Sequence, residues 1–406
     1  LQPAATLLLH RPAGANWQMW HNSGLAALGI ALENDSIVDV AINKDKYGYH
    51  YLIGKHKNSD GWINEGSPHY HYYPLEALLF TANAVKCRGI KLFDKDLHDM
   101  FVEPVKGTYP DLSFPAHSDG WYGANLLSQS ALYEVGNARY NDPFLKRVLE
   151  LTYAQKKRLD PEALLSNQLI KASEESLLQK SYSFDTSGFC LLRSDTRTVV
   201  LKFGGEGIGH GHPDKLSITI HDGKNELVSD FGTSGYGVPD YLKWYKRTLS
   251  HNTVTVDAKD QKRSVGKLLK FNPRSDGGYA EAETTTAYPG VRMKRSLDLK
   301  GTHLQDVYTC TSDSSHLYEY VILFNEKPLM DGQPTATTLT GSEVHERIHN
   351  IFSYPHKSGF TCRTSSASVQ FDIPEGEVME VVLGEASGIP ANPTVCLLYT
   401  SPSPRD

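Results

Sequence analysis

The spacing of apolar residues divides the chain into two regions. Up to about residue 157, apolar positions recur every three to four residues, which is the period of an amphipathic helix. This pattern predicts helices over residues 17–32, 36–42, 70–85, 92–101, 126–135 and 144–157, with a loop rich in proline, glycine and serine over 104–123. Paired helices of this length are typical of an α/α array or toroid.

From residue 182 onward, apolar and polar residues alternate, as they do in half-buried strands. The alternation predicts strands over residues 199–203, 216–220, 253–256, 296–299, 307–311, 318–324, 368–371 and 378–383, separated by turns such as Asp222-Gly223 and Asp276-Gly277. We therefore expect an α+β multidomain protein, with an α/α toroid over residues 1–175 and an antiparallel β-sandwich over 176–395. Residues 396–406 resemble a translated sequencing adapter, and we expect them to be an artefact.

Composition narrows the classes of partner. The 406 residues are 39% hydrophobic and 22% charged, which indicates a soluble globular protein, and no apolar run approaches the length of a membrane span. The net charge of −6 argues against a nucleic-acid partner or an anionic membrane surface. The 22 tyrosines offer flat apolar faces with polar tips, which suit sugar rings as well as an ordinary core.

The densest polar chemistry lies in the β region. His210 and His212 are two residues apart, Asp230 follows a strand-like run, and His251 precedes another. Two histidines and a carboxylate suit a zinc ion, and the histidine left over suggests acid/base chemistry. The alternative is a set of hydrogen-bonded polar residues near a sheet edge.

A second polar group lies in the helical region. Asn16 opens the first predicted helix, and Glu65, Tyr70 and His71 surround the start of the helix over 70–85. An asparagine at a helix start is most often a cap, and clustered tyrosines on an amphipathic helix most often belong to the core. On residue types alone, this group favours structure over catalysis.

Taken together, the segments resemble the heparinase II/III-like polysaccharide lyases, which include alginate and oligoalginate lyases. The resemblance rests on residues 16–18 (NWQ), 60–66 (DGWINEG), 70–71 (YH), 210–214 (HGHPD), 230–233 (DFGT) and 251–253 (HNT). It implies an N-terminal α/α toroid, incomplete here, and a C-terminal antiparallel β-sandwich. It also implies β-elimination on an anionic, uronate-containing polysaccharide, and a periplasmic or secreted protein.

The resemblance also implies a role for each matching residue. Asn16 corresponds to the residue that neutralises the uronate carboxylate, Tyr70 to the catalytic tyrosine and His210 to the catalytic histidine. The implied ligands of a structural zinc ion are His212, Asp230 and His251. Residues expected to bind substrate are Glu65, His71, Arg193, Tyr236 and Tyr241.

Two other functions stay open at this stage. A glycoside hydrolase would need two facing carboxyl groups, for which Glu65 and Asp119 are the best pair. A non-catalytic carbohydrate-binding protein would keep the aromatic surface and the metal without needing His210 and Tyr70 for catalysis. Within the lyase interpretation, the absence of a dense Arg/Lys cluster in the sequence favours alginate-type substrates over sulfated glycosaminoglycans.

Overall fold

The computed structural model describes residues 1–402 except 175–176, 178–179, 206–208, 357–358, 373–378 and 390–391. The chain forms two compact units: residues 1–108 with 124–178, and residues 109–123 with 179–406. The first is helical and the second is built of strands, as the sequence pattern predicts. The expected boundary between 175 and 176 falls on residues outside the described part of the chain. Residues 109–123, expected within the helical domain, belong to the β unit.

Within its described residues, the helical unit contains each of the six predicted helices, with shifted ends, and three more. The additional helices are α1, α4 and α9. The bounds are α1 (Gln2–His10), α2 (Ala15–Ala31), α3 (Asp35–Asn43), α4 (Tyr49–His56), α5 (Pro68–Val85), α6 (Lys95–Val105), α7 (Ser130–Tyr140), α8 (Pro143–Gln155) and α9 (Pro161–Ser166). A 3₁₀ turn over Leu126–Gln129 occupies the start of the predicted helix over 126–135.

The start of α5 is fixed by its capping residues. Ser67 is the N-cap, and its side chain accepts a hydrogen bond from the Tyr70 backbone N–H. Pro68 follows at the first helical position, where the missing N–H costs nothing. The buried face of α5, which includes Leu75, Leu78 and Ala82, packs against α2. This packing brings the beginning of α2 to the residues that precede α5.

The β unit follows the predicted alternation. Its strands are β1 (Tyr182–Phe184), β2 (Phe189–Arg193), β3 (Thr198–Lys202), β4 (Ser217–His221), β5 (Glu226–Val228), β6 (Val254–Val256), β7 (Lys267–Arg274), β8 (Gly277–Tyr288), β9 (Val291–Lys300), β10 (His303–Ser312), β11 (Tyr318–Phe324), β12 (Leu329–Met330), β13 (Thr335–Ala336), β14 (Ile348–His356), β15 (Gly359–Arg363), β16 (Ser368–Asp372), β17 (Met379–Ile389) and β18 (Asn392–Pro402). Every pair of neighbouring strands named below runs antiparallel.

These strands form three sheets. The largest has the order β1-β2-β3-β4-β5-β11-β18-β17-β14-β13, with β6 paired to β11; the others have the orders β10-β9-β8-β7 and β12-β15-β16. One buried cluster contains Leu201 and Ile218 from the largest sheet and Met293 and Leu297 from the four-stranded sheet, so these two sheets share a core. Within the described residues, no helix combines the length and apolarity needed to cross a bilayer.

Segment 109–123 is attached to the β unit at both ends. The Tyr109 hydroxyl hydrogen-bonds with Thr219 Oγ1 of β4 at 2.5 Å. Trp121 forms an isolated antiparallel bridge with Gly232, and the Thr233 N–H donates to the Gly120 carbonyl at 3.1 Å. Gly232 has a φ of +58°, and a Cβ there would overlap the Gly120 carbonyl oxygen. The close approach of the two backbones therefore requires glycine.

Candidate active site and metal centre

The side chains of the candidate site in the β unit form hydrogen bonds with the Asp119 carboxylate. Its Oδ1 lies 2.9 Å from His212 Nε2, and its Oδ2 lies 2.9 Å from His210 Nδ1. The Tyr241 hydroxyl donates to both oxygens at 2.9 Å, and the Tyr236 hydroxyl donates to Oδ2 at 3.0 Å. The main chain contributes as well, because the Asp119 N–H donates to the His210 carbonyl at 3.1 Å. Asp119 is 1% exposed, so these contacts replace its solvent.

The side chains around Asp119 differ in their exposure to solvent. Tyr236 is 55% exposed, and its hydroxyl lies 2.8 Å from His210 Nδ1. Tyr241 is buried, and its hydroxyl accepts a hydrogen bond from Lys246 Nζ at 3.0 Å. Tyr236 and the partly exposed His210 can therefore meet a ligand from solvent, whereas Tyr241 supports Asp119 from within.

The local charges keep Asp119 ionised. Burial by itself would raise the pKa of the Asp119 carboxyl, but hydrogen bonds from His210 and His212 and the Lys246 charge lower it well below its usual range. An ionised carboxylate accepts hydrogen bonds and donates none.

The ring nitrogens of His212 and His251 are arranged as in histidines that bind a metal. Their rings lie 5.2 Å apart between centroids. Among the described residues, neither His212 Nδ1 nor His251 Nε2 has a hydrogen-bond partner, although both atoms are buried. The other ring nitrogen of each is bound to a carboxylate, since His251 Nδ1 lies 2.8 Å from Asp230 Oδ2. A histidine held by a carboxylate on one nitrogen and open on the other is the usual arrangement around zinc.

Two carboxylates, Asp214 and Asp230, lie near these histidines and are candidates for a third ligand. Ligand atoms of His212, Asp214 and His251 all lie within 4.8 Å of one another, which makes this group able to hold a metal ion. However, Asp214 pairs with Lys202 Nζ and lies 3.2 Å from Lys215 Nζ, so two buried ammonium groups already neutralise it. Asp230, the ligand predicted from sequence, accepts from the Gly232 N–H at 3.0 Å and contacts His251.

The protonation state of His212 suits metal binding. Burial lowers the pKa of His212 to about 4, against the opposing effect of its Asp119 hydrogen bond. His212 is therefore neutral at neutral pH, which is the form that binds a metal.

The helical unit holds a second group of predicted residues. Asn16 is not the cap of α2, because Gly14 occupies that position, so the cap interpretation is wrong. Instead Asn16 Nδ2 donates to Glu65 Oε2 at 2.7 Å, and both residues are buried. Glu65 lies two residues before the N-cap of α5, and Tyr70 is in the first turn of that helix. The three predicted residues are thus gathered at the beginning of α5.

The predicted substrate contact of His71 needs correction. Its ring is 0% exposed, and Nε2 donates to the Met100 carbonyl at 2.9 Å while Nδ1 accepts from the Ile63 N–H at 3.2 Å. Burial lowers the pKa of His71 to about 4. Because both ring nitrogens bind the main chain, His71 stabilises the helical unit rather than binding substrate.

Arg193 needs the same correction. Its side chain is buried in β2, and Nη1 donates to the Lys180 carbonyl at 2.7 Å. Burial lowers the pKa of this guanidinium to about 9. Arg193 is the last residue of β2, and its side chain turns inward and binds the chain that enters β1.

Sequence reasoning did not assign a lyase role to the segment that carries Asp119. His117 is buried beside Phe189, and Ser118 Oγ accepts from Lys202 Nζ at 2.8 Å. A run of His-Ser-Asp-Gly inside a proline-rich loop was the available signal, because polar residues in an ordered loop often serve a site. Lys246 Nζ donates to the Tyr241 hydroxyl at 3.0 Å and to the Gly209 carbonyl at 3.1 Å.

Comparison with known proteins supports the resemblance seen in the motifs. The family model described as heparinase II/III-like, C-terminal, matches residues 177–369. An alginate lyase of Stenotrophomonas maltophilia is 27% identical over 377 residues, covering 80% of this chain and 50% of that protein. An exo-oligoalginate lyase of Saccharophagus degradans is 23% identical, covering 76% of this chain and 48% of that protein. A heparin-sulfate lyase of Bacteroides stercoris is 26% identical over 253 residues, covering 59% of this chain and 35% of that protein.

Solved structures show the same fold. The heparan sulfate lyase HepC from Pedobacter heparinus matches with a TM-score of 0.70 and 15% identity, covering 99% of this chain and 60% of that chain. A heparinase III structure matches with a TM-score of 0.66 and 17% identity, covering 99% of this chain and 64% of that chain. The chain spans half or less of the length of the curated relatives described above. The resemblance is confirmed, since residues 177–369 match the heparinase II/III-like C-terminal family model.

Proposed function

We propose that the protein is a polysaccharide lyase that cleaves uronate-containing chains by β-elimination. A uronate has an acidic hydrogen on C5, next to its carboxylate. Removal of this proton builds negative charge on the carboxylate, and expulsion of the O4 substituent leaves a 4,5-unsaturated uronate. The reaction needs a group that stabilises the carboxylate, a base for C5 and an acid for O4.

Residues of the chain supply each of these groups. The Asn16 amide stabilises the developing charge, and its hydrogen bond to Glu65 fixes its orientation. Tyr70 protonates O4, because a neutral phenol can donate its proton to the leaving oxygen. His210 removes the C5 proton, or Tyr70 does so, depending on the sugar epimer.

The observation that carries the proposal is the His210–Tyr236 pair. Tyr236 is solvent-exposed, its hydroxyl lies 2.8 Å from His210 Nδ1, and both contact the ionised Asp119. A histidine held in this way by a buried carboxylate is typical of general bases. The pair lies in the part of the chain that matches the heparinase II/III-like family model.

We propose a structural zinc ion as the cofactor, held by His212, His251 and a carboxylate. The two buried ring nitrogens that have no partner within the described part of the chain support this site. Asp230 is our third ligand, because the charge of Asp214 is already balanced by two lysines. To bind the ion, the Asp230 carboxylate would give up its present hydrogen bond with His251 Nδ1. The ion would tie together chain segments that lead into β4 and β6 and would contribute to folding. Zinc content of D230N and D214N variants separates the two carboxylates: we expect D230N to lose zinc and D214N to retain it.

The lyase proposal is tested by the ultraviolet absorbance of the unsaturated product. Y70F should lower turnover by about 10²–10⁴-fold, because it removes one proton-transfer group. Y73F is the matched control, since Tyr73 lies one turn further along α5 and should keep the full rate. If the wild-type chain forms no unsaturated product from alginate, heparin or heparan sulfate, the proposal is wrong. If Y70F retains the wild-type rate, the role of Tyr70 is wrong.

The glycoside hydrolase alternative is disfavoured by the state of Asp119. Such an enzyme needs one carboxyl group that carries a proton at working pH. The pKa of Asp119 is lowered, and its oxygens are occupied by four side-chain donors. A binding protein without catalysis would not explain why a solvent-exposed tyrosine and a partly exposed histidine are held so closely.

We propose an alginate-type polyuronate as substrate. The two alginate lyases cover 80% and 76% of this chain, whereas two heparin-sulfate lyases cover 59% and 66%. The rate on alginate should therefore exceed the rate on heparan sulfate, and the reverse order would contradict this choice. A polymeric substrate also supports export to the periplasm or medium, which fractionation of cells that produce the protein would test.

The architecture proposed with this function is an α/α toroid joined to an antiparallel β-sandwich. The core shared by the two larger sheets supports the sandwich. The TM-score of 0.70 with a heparan sulfate lyase supports the fold as a whole. An experimental structure of a longer chain with this sequence would test the toroid.

A further inference from the structure

One buried carboxylate of the β unit, that of Asp119, contacts residues with different proposed functions. Asp119 binds both the proposed base, His210, and a proposed zinc ligand, His212, through opposite oxygens. It does so through different ring nitrogens, Nδ1 of His210 and Nε2 of His212. This geometry determines which ring nitrogen carries the proton, because in a neutral imidazole one nitrogen is a donor and the other an acceptor.

The tautomers follow from the acceptor chemistry of Asp119. An ionised carboxylate offers lone pairs alone, so each ring nitrogen that faces it must carry the hydrogen. In its neutral form, His210 therefore carries its proton on Nδ1 and has its lone pair on Nε2, the nitrogen that would act as the base. His212 carries its proton on Nε2 and keeps a lone pair on Nδ1, the buried atom that has no partner among the described residues.

We propose that Asp119 is a positioning residue that fixes His210 and His212 in opposite tautomers, so that one carboxylate prepares both the base and the metal ligand. The inference deepens the proposed lyase function and rests on it for the roles of the two histidines. Tyr241 and Lys246 complete the support, since Lys246 Nζ donates to the Tyr241 hydroxyl, which donates to Asp119.

D119N is the sharpest perturbation because it is nearly isosteric and replaces one acceptor by an NH₂ donor. The amide can satisfy one histidine and must present its NH₂ to the other. Either His210 adopts the Nε2–H tautomer, or His212 loses its free Nδ1 lone pair. We expect kcat to fall by about 10²–10⁴-fold with KM nearly unchanged in the first case, and zinc content to fall in the second.

D111N is the matched control. Asp111 lies in the same segment, and its Oδ1 accepts hydrogen bonds from Ser113. D111N should retain wild-type kcat and zinc content. A purely structural role for Asp119 would lower the folded fraction of D119N without changing the tautomers of the folded protein.

The direct readout is the tautomer state in the wild-type chain labelled with ¹⁵N-histidine. Long-range ¹⁵N–¹H spectra distinguish Nδ1–H from Nε2–H, and H210Q and H212Q variants assign the two rings. We expect Nδ1–H for His210 and Nε2–H for His212. The opposite tautomer at either ring, or a D119N variant with unchanged tautomers, zinc content and kcat, would overturn the inference. Because the spectra need no turnover, a wild-type chain without lyase activity refutes the proposed function and leaves this test decisive.

Discussion

Replacing Gly232 by alanine should destabilise the β unit far more than the same change at a matched glycine. Gly232 has a φ of +58°, and an added Cβ would overlap the Gly120 carbonyl oxygen and lie 2.9 Å from its carbon. Gly301 has a φ of +57°, with no atom within 4 Å of an added Cβ. The two positions therefore share the backbone cost and differ in the steric cost.

The expected magnitudes follow from these two terms. A left-handed backbone costs a non-glycine residue about 1–2 kcal/mol. Restricting the unfolded chain returns about 0.4–1 kcal/mol. G301A should thus lower the free energy of unfolding by roughly 1 kcal/mol. Overlap with Gly120 adds about 1–3 kcal/mol, so G232A should lower it by roughly 2–4 kcal/mol.

Urea unfolding followed by circular dichroism measures both variants on the same β-unit transition. The difference between G232A and G301A isolates the close approach of residue 120. If both variants lose the same free energy, segment 109–123 does not constrain Gly232, and the attachment described above is wrong. Because Gly120 follows Asp119, G232A should also reduce zinc content, whereas G301A should not.

Three further predictions concern buried charged or polar groups. Burial raises the pKa of Glu226 to about 7. The carboxyl loses its proton at a lower pH in the unfolded chain than in the folded one, so the free energy of unfolding of the wild type should fall by roughly 3 kcal/mol from pH 4.5 to 7. In pH-dependent urea unfolding E226Q should lack that loss, and parallel curves for the two proteins would contradict the pKa shift. H71A should lose about 3 kcal/mol of unfolding free energy, because two buried main-chain groups lose their partner, while KM stays at the wild-type value; a raised KM would restore a substrate role. R295M should lower the free energy of unfolding by about 3 kcal/mol, because it leaves Asp306 without its buried partner. R292M, on the same strand, removes the ion pair of an exposed arginine and should lower it by about 0–1 kcal/mol. Equal shifts in the melting temperatures of the two variants would contradict this ranking.

The sequence predicted the regular elements because their signals are local. The helix over 70–85 was found as α5, since its apolar period and Ser67-Pro68 start lie within a few residues of each other. The strand over 318–324 was found with the same ends as β11. Helix α1 was missed because a nine-residue helix with exposed Leu7 and Leu9 shows no clear apolar face.

The site was predicted in part for the same reason. Its histidines lie in short motifs, and the structure confirms that His210 and His212 share one neighbourhood. Asp119 is 91 residues from His210 along the chain, and no local pattern joins them. Arg193 and His71 show the converse limit, because their residue types suit a substrate while their surroundings are buried main chain.

The β unit is a discontinuous domain, and this limits how it can be excised. A gene cut at residue 177, where the family match begins, would lack residues 109–123 and so would encode neither Asp119 nor the Gly120 carbonyl that receives Thr233. A protein engineer who transplants this domain must therefore carry the loop along, for instance by fusing it ahead of the first strand through a flexible linker. Natural recombination at the same junction would also separate residues 109–123 from the rest of the β unit. Selection should therefore act against such recombination.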